Sequence, residues 1–147
     1  MMERRHANLR GNVHGGWIMM LVDQAGGLAA VRHAQCNVVT VAIDQMTFLE
    51  PIRVGDLVTL HAALTYVGRT SMEVRVEVIA EDPILGTKSH TNTAYLVYVA
   101  LDEEGHPKPI PGLLAETDSE KKRMEEGKNR QKARLERRHF ESHEGNP

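Results

Sequence analysis

The 147-residue chain has one cysteine, Cys36, so it can build neither an internal disulfide framework nor a cysteine zinc site. Aromatic residues are 4% of the total. No run approaches the roughly 18 apolar residues that a membrane-spanning helix needs. The start, Met1 to Arg10, is polar and basic with no apolar stretch behind it, so no secretory leader is expected. A Gly-x-Ser-x-Gly nucleophile elbow is missing, as are a phosphate loop and a dinucleotide fingerprint. The eight histidines are scattered along the chain, and no metal site is expected from them. What remains is 41% hydrophobic and 26% charged, the balance of one ordinary cytoplasmic domain.

The net charge of −2 conceals an asymmetry. Residues 1–115 carry nine Lys/Arg against twelve Asp/Glu, whereas Glu120 to Arg138 carries nine against four. The basic stretch holds no aromatic residue on which bases could stack, so nucleic acid is not the expected partner. Its mixed signs predict a solvated helix, one that could still help to hold a small polyanion. The chain thus divides into a domain over 1–115 and a charged helix and tail over 116–147.

The first sixteen residues predict a loop ending in Gly15-Gly16. From Trp17 to Val31 follows an apolar run with few β-branched members, which favours a helix. It is apolar on nearly every side and should be buried. Gly26 and Gly27 each weaken such a helix by about 1 kcal/mol relative to Ala, which points to a close approach by a neighbouring element. From Val38 onward the pattern changes to strands: Val38–Ile43, Asp56–Tyr66, Ser71–Ala80 and Thr91–Leu101. Met72, Val74, Val76 and Val78 alternate with Glu73, Arg75 and Glu77, the signature of a sheet with one wet face. No helix separates these strands, which excludes parallel crossovers. The fold class is therefore α+β, an antiparallel sheet wrapped around one buried helix with a charged helix at the C-terminus. One sheet cannot enclose a helix that is apolar all round, so a second copy is expected to cover the rest.

Asp23 is out of place in that helix. A carboxylate in an apolar segment costs several kcal/mol unless it is paired or hydrogen-bonded. It either fixes packing or lines a cleft as a general base or nucleophile. Gly15-Gly16 favours the second reading, since a helix start with uncovered N–H groups can hold an oxyanion. Asn8 and Asn12 flank it as neutral polar groups able to orient a water or a carbonyl. Asp44, on the first strand, is expected at a surface or an interface, and Cys36 is expected to be inert.

Several motifs together carry a resemblance: Ala7-Asn8-Leu9-Arg10-Gly11-Asn12-Val13-His14-Gly15-Gly16, Leu21-Val22-Asp23-Gln24-Ala25, Val39-Thr40-Val41, Met46-Thr47-Phe48 with Pro51, Val54-Gly55-Asp56, the hairpin Gly68-Arg69-Thr70-Ser71-Met72-Glu73-Val74, the strand end Tyr98-Val99-Ala100-Leu101-Asp102, and Pro109-Ile110-Pro111. Through them the chain, from Ala7 to about Arg134, resembles the hotdog-fold acyl-CoA thioesterases, in the branch of a brain cytosolic hydrolase and bacterial relatives. The resemblance implies hydrolysis of acyl-CoA to free coenzyme A and a fatty acid without a metal. It implies a catalytic pair of Asn8 and Asp23, with Asn12 as second choice, contributed by two subunits of a homo-oligomer, a dimer at least and commonly a trimer of dimers. On that reading Gly15 and Gly16 hold the oxyanion. Arg69, Thr70, Ser71 and Lys88 are the candidates for the coenzyme A phosphates, and Trp17, Met20 and Leu21 for the acyl chain. A non-catalytic acyl-CoA sensor on the same fold is the alternative; a hydratase is a weaker one.

Overall fold

A computed structural model describes residues 1–44 and 46–144, with the side chains of 141–144 excepted. The N-terminal segment makes a short 3-10 turn, Arg4–His6, and then runs into α1, Gly15–Ala34. Four strands follow: β1 Asn37–Ile43, β2 Leu57–Val67, β3 Ser71–Glu81 and β4 Lys88–Leu101. A long second helix, α2, spans Asp118–Glu144. The strands form one antiparallel sheet in the order β1-β4-β3-β2. Every strand expected from the alternation is present; β4 starts earlier and α1 runs further at both ends than its apolar core alone implied.

The helix begins where His14 caps it, its Nδ1 accepting from the Gly16 N–H at 2.9 Å. It ends at Gln35, which adopts a left-handed backbone (φ 53°) and donates its own side-chain amide to the Arg32 carbonyl at 2.6 Å. Between these ends Ile18, Val22, Gly26, Ala30 and Ala34 recur every four residues and form the stripe buried against the sheet. The inner face of the sheet answers with Val74, Val76 and Val78 from β3 and with Ala94, Leu96 and Tyr98 from β4. The opposite side of α1 is not buried within one chain. Trp17, Met19, Met20, Leu28 and Val31 are exposed there, as the all-round apolarity of the segment anticipated.

Two expectations need correcting, and they share one cause. The polar face of β3 is wet only in part, since Arg75 and Glu77 are about a third exposed but Glu73 is covered, and α2 is docked along one face rather than solvated all round. Glu73 is 1% exposed because α2 crosses that face. Its carboxylate accepts from the Thr65 hydroxyl at 2.6 Å and from Arg130, whose Nη2 lies at 2.8 Å, and it also pairs with Arg134. Arg134 extends the network to Asp44 at 2.9 Å, and the Arg130 guanidinium lies 3.9 Å from the Tyr95 ring centroid. Gly127 allows the approach, since a Cβ there would stand 2.8 Å from the Tyr66 Cβ. Thr117 and Glu120 start α2 reciprocally: the Thr117 hydroxyl accepts from the Glu120 N–H, and the Glu120 carboxylate from the Thr117 N–H. Those backbone donors hold the Glu120 carboxyl below the usual carboxylate range. The division at 115/116 falls in the irregular segment ahead of α2; positions 145–147 lie outside the described residues.

Candidate active site

Asp23 sits midway along α1, and its setting is made by strand register. Thr40 of β1 and Tyr98 of β4 are direct partners in the antiparallel ladder, so their side chains rise on the same face. Both reach the same carboxylate oxygen. The Thr40 hydroxyl donates to Asp23 Oδ1 at 2.7 Å and the Tyr98 hydroxyl at 3.1 Å. Tyr98 also lies 3.0 Å from the Asp23 carbonyl oxygen. Among the described residues no donor reaches Oδ2. The ladder shifts register between Thr40 and Ala42, a bulge that releases the strand from strict alternation directly beside this contact. Burial pushes the Tyr98 phenol well above its usual range, and the neighbouring Asp23 adds to the effect. Tyr98 therefore stays a protonated donor.

A second group of expected residues lies at the start of the helix. Asn8, Asn12 and Gly15 line one cleft of about 370 Å³ with Ile18, Phe48 and Ile52. Asn8 Oδ1 accepts from the backbone N–H groups of Arg10 (2.9 Å) and Asn12 (3.2 Å), which fixes the amide and leaves Nδ2 free to donate. The Gly16 N–H is occupied by His14, so only the Gly15 N–H remains open at this end, among the described residues, where two glycine donors were expected. Gly15 lies against the ring of Phe48, to which a Cβ would come within 3.4 Å. From Gly15 to Asp23 is two turns, about 12 Å along the helix axis. One chain thus presents Asn8 with Gly15 at one place and Asp23 with Thr40 and Tyr98 at another.

The expected binding residues are divided too. Thr70 and Ser71 line a cavity of about 540 Å³ between the sheet and α2, with Val97 and Val99 beneath and Arg137 and Arg138 at its wall. Arg69 is exposed at the hairpin tip beside it, its carbonyl accepting from the Ile110 N–H. Lys88 pairs with Glu81 at 3.3 Å at the other end of the β3–β4 ladder, ten steps or about 33 Å from Ser71, so one protomer does not gather all four. Trp17 and Met20 lie on the exposed side of α1, whereas Leu21 packs against the core. His139 and His143 stand four positions apart in α2, but no group of three or more His, Cys, Asp or Glu gathers among the described residues. Nothing in the sequence marks Thr40 or Tyr98 as a site residue. Both are ordinary strand formers, and only the register brings them to Asp23.

The family model described as Thioesterase superfamily matches residues 10–87, just over half the chain. The chain belongs to that superfamily. This thioesterase-superfamily chain is 42% identical over 125 residues to the cytosolic acyl coenzyme A thioester hydrolase of Mus musculus, a match covering 83% of this chain. The match takes in about a third (32%) of that mammalian protein. Its fold is that of a solved apo-hexameric acyl-CoA thioesterase, with a TM-score of 0.89 and 35% identity over 93% of this chain and 88% of the other. An acyl-CoA hydrolase from Staphylococcus aureus, solved with butyryl coenzyme A and coenzyme A, matches with a TM-score of 0.88 and 33% identity, covering 97% and 87% of the two chains. That hydrolase has also been solved as separate alanine variants of an asparagine, an aspartate and a threonine. These likenesses agree with the hotdog arrangement, a helix seated in an antiparallel sheet.

Proposed function

We propose that this protein hydrolyses acyl-CoA thioesters, releasing coenzyme A and a carboxylic acid, with Asp23 as the catalytic carboxylate. The observation that carries the reading is the state of that side chain. It is a carboxylate inside an apolar helix, held through one oxygen by two hydroxyls, with the other oxygen left open. Asp23 is only partly buried, so that open oxygen is within reach of a water or a substrate. The open oxygen either takes a proton from a water as it attacks the thioester carbonyl, or attacks the carbonyl itself to give a mixed anhydride that water then cleaves. In both routes the carbon–sulfur bond breaks: in the first Asp23 passes the proton it took to the departing sulfur, and in the second coenzyme A leaves as the thiolate and takes its proton from water.

The developing oxyanion needs donors, and the free Asn8 Nδ2 and the Gly15 N–H line one cleft able to supply them. Because Asn8 and Asp23 stand apart on one chain, a site containing both is completed by a second copy packed against the exposed apolar side of α1. Residue spacing supports this choice. The asparagine and aspartate replaced in the Staphylococcus aureus hydrolase are fifteen positions apart, and its aspartate and threonine seventeen. Asn8, Asp23 and Thr40 stand at the same separations. The hexameric state of the solved neighbour supports a trimer of dimers. The basic wall of the 540 Å³ cavity, Arg137 and Arg138 above Thr70 and Ser71, is assigned to the coenzyme A phosphates. We place the enzyme in the cytosol, where the mouse relative is named as residing.

Free-thiol release from a panel of short to long acyl-CoAs tests the proposal. Turnover by wild type that disappears in Asp23→Ala, with fold and assembly intact, is expected. Binding of acyl-CoA with no thiol release from any substrate would contradict it and favour the sensor.

A further inference from the structure

The catalytic assignment of Asp23 leaves open what holds its carboxylate in one orientation. Tyr98 is 1% exposed at the centre of β4, and a phenylalanine would fill the same space. Its hydroxyl is therefore surplus to packing. Burying it is costly unless it is hydrogen-bonded, and its one proton is shared between two acceptors of Asp23, the side-chain Oδ1 at 3.1 Å and the backbone carbonyl at 3.0 Å. A single hydroxyl thus ties the carboxylate to its own peptide unit. The approach depends on a missing side chain. A Cβ on Gly26 would stand 2.4 Å from the Tyr98 oxygen and 3.2 Å from two ring carbons, whereas one on Gly27 would meet only ordinary contact at 3.7 Å. Of the two adjacent glycines in α1, Gly26 is the one this contact requires.

Resting on the proposal that Asp23 is catalytic, we infer that Tyr98, admitted by Gly26, is a positioning residue for the reaction. Together with Thr40 it saturates Oδ1 and so presents Oδ2 to the thioester or to the attacking water. Two donors on one oxygen fix both the carboxylate plane and which oxygen reacts. An error of about 1 Å in such placement can cost a hundredfold in rate. The raised phenol pKa keeps the donor protonated wherever the enzyme works.

The test measures kcat and KM for one acyl-CoA in wild type, Tyr98→Phe, Gly26→Ala, the double variant and Asp23→Ala, with thermal unfolding and assembly state recorded for each. Tyr98→Phe lowers kcat by about tenfold or more, leaves KM within about twofold, and keeps fold and assembly. Gly26→Ala reproduces the fall in kcat by displacing the hydroxyl. The double variant turns over no more slowly than Gly26→Ala alone and is less destabilised relative to Tyr98→Phe than Gly26→Ala is to wild type, because the clashing oxygen is gone. A kcat within about twofold of wild type in Tyr98→Phe would overturn the inference, as would losses in the two single variants that simply multiply. If Asp23→Ala is inactive while Tyr98→Phe is normal, only the positioning role falls. If Asp23→Ala turns over like wild type, the catalytic assignment falls instead.

Discussion

Replacing Glu73 with alanine should release α2 from the sheet. In the native chain this 1%-exposed carboxylate receives Arg130, Arg134 and the Thr65 hydroxyl. Without it Arg134 keeps Asp44 and Gln131, while Arg130 keeps the face of Tyr95. Removing one partner of a buried pair costs about 3–5 kcal/mol. The second carboxylate on Arg134 and the partial exposure of Arg130 reduce this to about 2–3 kcal/mol. In a domain of this size that lowers Tm by about 5–10 °C. The assay is thermal unfolding at fixed protomer concentration, since assembly feeds into Tm, together with hydrogen exchange of the α2 amides. Glu77→Ala is the control: its carboxylate pairs with Arg75 at 2.6 Å where both are about a third exposed, and it should cost about 0–1 kcal/mol. A Tm for Glu73→Ala within about 2 °C of wild type, with α2 amides as protected as before, would show that Glu73 does not hold α2 on the sheet.

Three further outcomes are expected. Gly127→Ala forces a Cβ to 2.8 Å from Tyr66 and should loosen α2 by about 1–3 kcal/mol, read as faster proteolysis within α2 and a lower Tm. The Tyr98 phenol titrates higher when folded than its unfolded value of 10.0, so its stabilising contribution is full below that pH and is lost as pH rises through the folded value; ultraviolet titration should show a late-ionising tyrosine that is absent from Tyr98→Phe. Arg137→Ala with Arg138→Ala should raise KM for acyl-CoA several-fold at unchanged kcat and weaken its salt dependence, and an unaltered KM would move the phosphate site elsewhere.

The strands and α1 were legible because their apolar periodicity differs and their turns are short. Gly26 was legible as a point of close approach, though not what approaches. The docking of α2 was not, because Glu73, Arg75 and Glu77 alternate identically whether water or arginine covers them. The available clues were Gly127 in an otherwise charged helix and Arg130 with Arg134 at a spacing of four, which puts two guanidinium groups on one helix face. Asp23 stood out as a charge among apolar neighbours. Thr40 and Tyr98 did not, since both residue types are common in strands and only the ladder register brings their hydroxyls to a carboxylate. The loss of the Gly16 donor to His14 was likewise hidden, because a histidine cap is local geometry rather than pattern.

On the proposed reading, Asn8 of one copy and Asp23 of another make one catalytic site. Asn8→Ala and Asp23→Ala, each assayed alone and then unfolded together and reassembled, test it directly. Each variant should be nearly inactive by itself, and the mixture should regain thiol release, because mixed dimers hold one site with both residues intact. A mixture no more active than its two components would contradict a site shared between copies.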